Sequence, residues 1–255
     1  STNTDSQPAM AQPFRQMAHN GELNTDKKNR LSEAAIARTK NRSIISPVGQ
    51  SDSARLDQTL SRRIHEDELD MIEAVVAMMP PAWENDPSVP QNVRDMREYF
   101  SLYEEKNDGP AALIFGDGEV VGARLDRLGL RPLRSIETVE YLCAMSEAGQ
   151  IDFPAETVIS RDRVKSGGTL YYDHNRGRSF NTVETLEDLA GRQDYAAMLK
   201  EARITLGDIP VPTAGDAGAV PELNVYQRMV AYSLNQESLK LPMDPMLQNG
   251  AEKVS

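Results

Sequence analysis

Met17-Ala-His-Asn-Gly-Glu22 is the stretch on which the reading of this chain depends. Within it, His19-Asn20-Gly21 sets a side-chain amide beside a glycine N–H. Taken alone, Asn-Gly is first of all a turn dipeptide, because both residues tolerate a left-handed backbone. A turn that aimed the Asn20 amide and the Gly21 N–H at one point would also stabilise a carbonyl oxygen as it gains charge. The neighbouring stretches give the second reading its weight. Ser1-Thr-Asn-Thr4 precedes it, Gly49-Gln-Ser-Asp-Ser53 follows it, and Leu125-Asp-Arg-Leu-Gly-Leu-Arg-Pro132 lies further on.

Composition narrows the function classes. The 255 residues carry 28 Lys and Arg against 39 Asp and Glu, a formal net charge of −11. Such a chain repels phosphate backbones and anionic lipid, which argues against nucleic-acid and membrane partners. It contains no run of about 18 apolar residues, the length needed to span a bilayer. The first twenty residues lack the basic-then-apolar layout of a secretory signal. A single cysteine, Cys143, rules out an internal disulfide and fits a reducing, cytoplasmic setting. His19, His65 and His174 are too far apart for zinc-ligand spacing.

The chain opens with Ser1-Thr-Asn-Thr4, polar and β-rich, which reads like the middle of a sequence. Residues 24–53 form a polar connecting segment with a short helical piece near Leu31–Arg38. From Ala54 to Met79 the apolar spacing is helical: Leu56, Leu60 and Ile64, then Leu69, Ile72, Val76 and Met79. Two helices with a joint near His65–Asp67 fit best, and Pro80-Pro81 ends the second. Ser51, Asp52 and Ser53 are all suitable N-caps. Another helix is expected over Gln91–Tyr103.

The period then changes to that of strands. Ala111–Phe115 and Glu119–Arg124 flank a Gly116-Asp-Gly118 turn and predict a hairpin. Strands follow at Leu133–Thr138, Tyr141–Ser146, Thr157–Ser160 and Thr169–Asp173, with a turn at His174–Gly177. The sheet is thus mainly antiparallel, with helices 54–103 covering one face. Val183–Ala190 and Tyr195–Ala202 read as short helices. Residues 207–221 are a linker by composition. Two parts are therefore expected, 1–206 and 207–255, the second being a linker and the start of a further region.

Taken together, these pieces resemble the glutamine amidotransferase domain of the glutamate synthase large subunit. That is a class II amidotransferase with the N-terminal-nucleophile (Ntn) hydrolase fold. The resemblance rests on Ser1–Thr4, Ala11-Gln-Pro-Phe14, Ala18–Glu22, Ser51-Asp-Ser53, Met79-Pro-Pro-Ala-Trp-Glu84, Asp108-Gly-Pro-Ala111, Leu125–Pro132 and Ser146-Glu-Ala-Gly149. It implies an α+β fold, an α/β/β/α sandwich of antiparallel sheets that is incomplete at the N-terminus. It implies glutamine hydrolysis to glutamate and ammonia, for reductive amination of 2-oxoglutarate, by an N-terminal cysteine thiolate whose own α-amine is the base. Asn20 and Gly21 would then be the oxyanion donors, Asp52 would hold the α-ammonium of L-glutamine, and Thr2 would help hold its α-carboxylate. Asp126 and Arg131 would form a buried pair bracing the turn after the hairpin. The other partner would be the rest of a glutamate synthase or a separate synthase subunit. FMN and an iron–sulfur cluster belong to regions of such a synthase outside this chain.

The departures carry expectations too. The nucleophilic cysteine and the arginine that partners Thr2 would both precede Ser1, so the sequence reads as a fragment that does not hydrolyse glutamine by itself. Cys143 sits within the expected strand Tyr141–Met145 and reads as a small buried hydrophobe. Leu128 replaces an asparagine common in the family's Asp-Arg-Asn-Gly-Leu-Arg-Pro element. Glu147 reads equally as a solvated carboxylate or as support for the site. His65 and His174 read as surface residues. Two alternatives stand beside this reading: a free-standing amidotransferase subunit of a split enzyme, as for N-alkylated glutamate, and a non-catalytic glutamine-binding scaffold.

Overall fold

The computed structural model describes residues 14–210 and 222–250. Thr2 and the rest of Ser1–Thr4 therefore lie outside the described residues, as do Ala11-Gln-Pro13 and most of the 207–221 linker. The chain divides into two compact units, Ser1–Arg203 and Ile204–Ser255.

Among the described residues, the first element of the first unit is strand β1 (Met17–Gly21). Helices α1 (Asp26–Thr39), α2 (Asp52–His65), α3 (Met71–Met78) and α4 (Gln91–Ser101) follow. Strands β2 (Ala111–Gly116), β3 (Val120–Leu125), β4 (Arg134–Thr138), β5 (Leu142–Met145), β6 (Val158–Arg163), β7 (Thr169–Asp173) and β8 (Arg178–Phe180) come next, then helices α5 (Thr182–Ala190) and α6 (Tyr195–Ala202). The fold is α+β, and all its strand pairs are antiparallel. A five-stranded sheet has the order β1-β2-β3-β7-β8, and a three-stranded sheet the order β5-β4-β6.

The core follows from strand alternation. Ala111, Leu113 and Phe115 of β2 face the helices and join Leu56, Leu60, Val75, Met96 and Phe100 in one cluster. Every residue of α3 except Glu73 is buried, as expected of a helix that is apolar all round. On the other face, Ala112, Ala123, Leu125 and Leu170 meet Leu133, Ala144 and Val164 of the small-sheet region. The layers are thus helices, large sheet, small sheet.

Local chemistry sets the helix starts. Ser51 accepts from the Ala54 N–H at 3.0 Å and Asp70 from the Glu73 N–H at 2.8 Å, while Asn181 and Glu184 form a reciprocal capping box. The joint expected near His65–Asp67 is there, with Glu68 in a left-handed conformation at φ 60°. One expectation is corrected, and one element is added. The short helical piece at 31–38 is a 14-residue helix, because α1 buries a polar stripe of Asn29 and Glu33 along with Ala37. Strand β8, only three residues long, was not foreseen.

In the second unit, a helix at Val225–Ala231 begins with a capping box of Asn224 and Gln227. Val225, Tyr226 and Tyr232 are exposed.

Candidate functional site

The site grows from the end of β1. Gly116 N–H donates to Gln16 O, and Glu22 N–H to Pro110 O, both at 2.9 Å. With the register Met17↔Phe115 to Gly21↔Ala111, the residues bonded to β2 are 18, 20 and 22, and at residue 16 only the carbonyl is. The N–H groups of Met17, His19 and Gly21 therefore point away from β2. No strand pairs on that side of β1 among the described residues. Met17 N–H finds the Asp57 carboxylate at 3.2 Å, and the same buried carboxylate takes the N–H groups of Arg15 and Gln16 at 3.0 Å each. Gly21 has no room for a side chain: a Cβ would lie 1.8 Å from Pro110 O. Glycine is thus required by close backbone approach, not by turn preference alone.

Helix α2 delivers the second half. Ser51 caps it, which places Asp52 in the first turn and corrects the reading of Asp52 as a candidate cap. The Asp52 carboxylate accepts from the Leu23 N–H at 2.8 Å and from the Ser53 N–H at 2.7 Å. One residue on, Ser53 Oγ lies 2.7 Å from His19 Nδ1 and 3.4 Å from Asp52 Oδ1. The Ser53 hydroxyl has one proton to give, and the His19 tautomer sets whether it goes to Asp52 or to Nδ1. His19 Nε2 is buried without a hydrogen-bond partner among the described residues. Burial holds the His19 pKa below its ordinary value, against the pull of Asp52 and with help from Arg131 and Arg55. His19 is neutral at pH 7.

The structure brings Gly21, His19, Ser53 and Asp52 together at one end of β1. Asn20 is exposed on the opposite face of the sheet from His19, and its amide makes no hydrogen bond among the described residues. The expected Asp126–Arg131 pair is not formed. Asp126 spends its carboxylate on the backbone, accepting from Ala111 N–H at 2.9 Å, Leu128 N–H at 2.8 Å and Gly129 N–H at 2.9 Å. Arg127 pairs instead with Asp108, at 2.9 Å through Nε. Arg131 Nε is buried without a hydrogen-bond partner, and its charge acts on His19. Cys143 lies in β5 as expected but is half-buried, not buried. His65 and His174 are both exposed. Asp57 and Arg55 escaped sequence reasoning, and Ser53 was marked only as a possible cap and as part of Ser51-Asp-Ser53. The run Ser51-Asp-Ser53 held the signal for Ser53, but nothing in the sequence marked Asp57 as the clamp on β1.

Among the described residues no group of three or more His, Cys, Asp or Glu is placed to hold a metal, and no helix is long and apolar enough to cross a membrane.

Comparison with known proteins adds a separate line. A family profile described as class II glutamine amidotransferases matches residues 1–198. The ferredoxin-dependent glutamate synthase 2 of Synechocystis sp. is 30 % identical over 271 aligned residues, covering 99 % of this chain and 17 % of the relative. The glutamate synthase [NADPH] large chain of Azospirillum brasilense is 30 % identical over 270 residues, covering 100 % of this chain and 18 % of the relative. The ferredoxin-dependent glutamate synthase of Antithamnion sp. is 37 % identical over 187 residues, covering 68 % of this chain and 12 % of the relative. The chain thus spans less than a fifth of the length of these relatives.

Proposed function

This chain belongs to the class II glutamine amidotransferase family, and we propose that it supplies the oxyanion-stabilising and glutamine-gripping half of a glutaminase centre in a glutamate synthase. The reading rests on one observation: the Gly21 N–H points out of the edge of β1 that is unpaired among the described residues, while the Asp52 carboxylate is tied 2.8 Å from the Leu23 N–H, two residues away.

The proposed chemistry is acyl transfer. A cysteine thiolate adds to the side-chain carbonyl carbon of L-glutamine, and the carbonyl oxygen takes the negative charge. The Gly21 N–H and the Asn20 amide donate to that oxygen. A proton passes to the nitrogen, the C–N bond breaks, and ammonia leaves a thioester that water cleaves to glutamate. Asp52 holds the α-ammonium, and Thr2 helps hold the α-carboxylate. Cys143 does not serve as the nucleophile, because it lies within a strand and has no α-amine of its own. The nucleophile therefore comes from polypeptide other than these 255 residues. The ammonia passes to 2-oxoglutarate, and the flavin and iron–sulfur chemistry of that step belongs to the rest of the synthase.

The test is ammonia release from L-glutamine by the longest natural polypeptide that contains this chain. Loss of one oxyanion donor costs about 10²–10³ in kcat, so Asn20→Ala should lower kcat by that factor with KM little changed. Turnover by Asn20→Ala at the parent rate would overturn the reading.

A further inference from the structure

A second site lies away from Asn20, Gly21 and Asp52, with which its lining shares no residue. Arg97 on α4 is only 5 % exposed. Its Nε and Nη1 are sealed from solvent without a hydrogen-bond partner, and it enters no ion pair among the described residues. A buried guanidinium in that state is costly, because it has given up water and received nothing in exchange.

Arg97 forms part of the wall of a cavity of about 380 Å³, whose apolar lining is Val76, Ala77, Pro80, Trp83 and Phe100. That volume falls at the small end of ligand pockets. None of the carboxylates in the wall forms an ion pair with it, although the charge of Glu84 acts on it from a distance. Glu104 is committed to Arg63 Nε at 2.5 Å, and Glu105 to Lys28 at 2.9 Å. Glu84 is exposed and accepts from the Trp83 N–H at 3.1 Å. Lys106 adds a second cation to the wall.

Its neighbour Arg124 shows what a satisfied case looks like. It is 1 % exposed, and its Nε donates to Met79 O, just past the C-terminus of α3, at 3.1 Å. A helix C-terminus carries partial negative charge, which offsets a cation. Arg97 has no such acceptor, and Arg124 repels it. Burial pushes Arg97 down to about 10, so it remains cationic at neutral pH.

We propose that this cavity binds a small carboxylate with an apolar body, its carboxylate on Arg97 and its body against Trp83 and Phe100. A guanidinium suits a carboxylate, since the hydrogen bonds between them are charge-assisted.

Trp83 is the chain's one tryptophan, so its fluorescence reports on this cavity directly. The full chain is titrated with phenylacetate and, separately, with the neutral isostere phenylacetamide at matched ionic strength. Phenylacetate should give a saturable change and phenylacetamide should bind at least tenfold more weakly. Arg97→Met should remove that preference, and phenylacetate should raise the Tm of the parent but not of the variant. Glu84→Gln should bind phenylacetate at least as tightly as the parent. Equal binding of acid and amide, or no saturable change, would overturn the proposal. So would a response that appears only in Glu84→Gln, since Glu84 would then be the partner of Arg97 in solution. Should Arg97→Met fail to fold, calorimetry of acid against amide on the parent chain decides the same question.

Discussion

His19 shows how one residue carries information in two directions. It lies on a strand whose end forms the candidate oxyanion cradle, and it hydrogen-bonds the residue after Asp52. Neutral in the folded chain, it regains its ordinary affinity for protons, near pKa 6.5, only on unfolding. The folded state therefore binds fewer protons than the unfolded state just below pH 6.5, and stability falls as pH drops through that value. Urea unfolding of the parent and of His19→Asn between pH 5 and 7.5 checks this. The parent should lose stability relative to the variant below about pH 6.5, with no such divergence above it. At this scale the sequence was legible where a residue's role is local. Asn20-Gly21 and Ser51-Asp-Ser53 were marked by type and spacing. The Asp126–Arg131 pair was misread because sequence proximity does not say whether a carboxylate will take a guanidinium or three backbone N–H groups. Asp126 takes the backbone because the turn at Leu128 and Gly129 holds two N–H donors within reach of one carboxylate oxygen.

Elements were legible in proportion to their apolar periodicity. The all-apolar α3 and the hairpin β2–β3 stood out, since their burial is hydrophobic and periodic. Helix α1 was largely hidden because its inner face is held by polar bonds. Asn29 accepts from Thr25 Oγ1 at 2.6 Å and donates to the Glu105 and Lys106 carbonyls at 3.1 Å each. Glu33 reaches the short contact with Arg63 Nη2. That arginine, 1 % exposed, also meets Glu104 at 2.5 Å and Asp67 at 3.1 Å, so one guanidinium ties α1, α2 and the residues after α4. Against the cost of burial, the carboxylates of Glu104, Glu33 and Asp67 raise the affinity of Arg63 for protons beyond the ordinary, while burial pushes the Glu104 carboxyl up. Removing one member of a buried ionic network strands the others, at a cost of about 3–5 kcal/mol. Arg63→Met should lower unfolding stability by that amount in urea titration. The double variant Arg63→Met, Glu104→Gln should recover part of it, because the stranded charge is then gone. A loss below about 1 kcal/mol would place the network among weak surface pairs.

Across the whole first unit, one face of the large sheet is better covered than the other. The helices seal the face carrying Leu113 and Phe115, whereas on the second face the small sheet meets Ala112, Ala123, Leu125 and Leu170 but leaves Ile114 37 % and Val121 44 % exposed. These two residues share that face with Ala18, itself exposed, by the register of β1, β2 and β3. Apolar surface of this kind, next to a strand edge that is unpaired among the described residues, favours association. The net charge of −11 opposes it, since like-charged copies repel until salt screens them. The two effects separate by ionic strength. Sedimentation velocity should show the 255-residue chain associating more strongly at 0.5 M than at 0.05 M salt, and a hydrophobic dye should brighten on binding it. Val121→Thr should weaken both signals, because it makes the exposed patch polar while keeping the β-branch that suits a strand. A monomer at both salt concentrations that binds no dye and unfolds in one sharp transition would mean that this face is covered in solution.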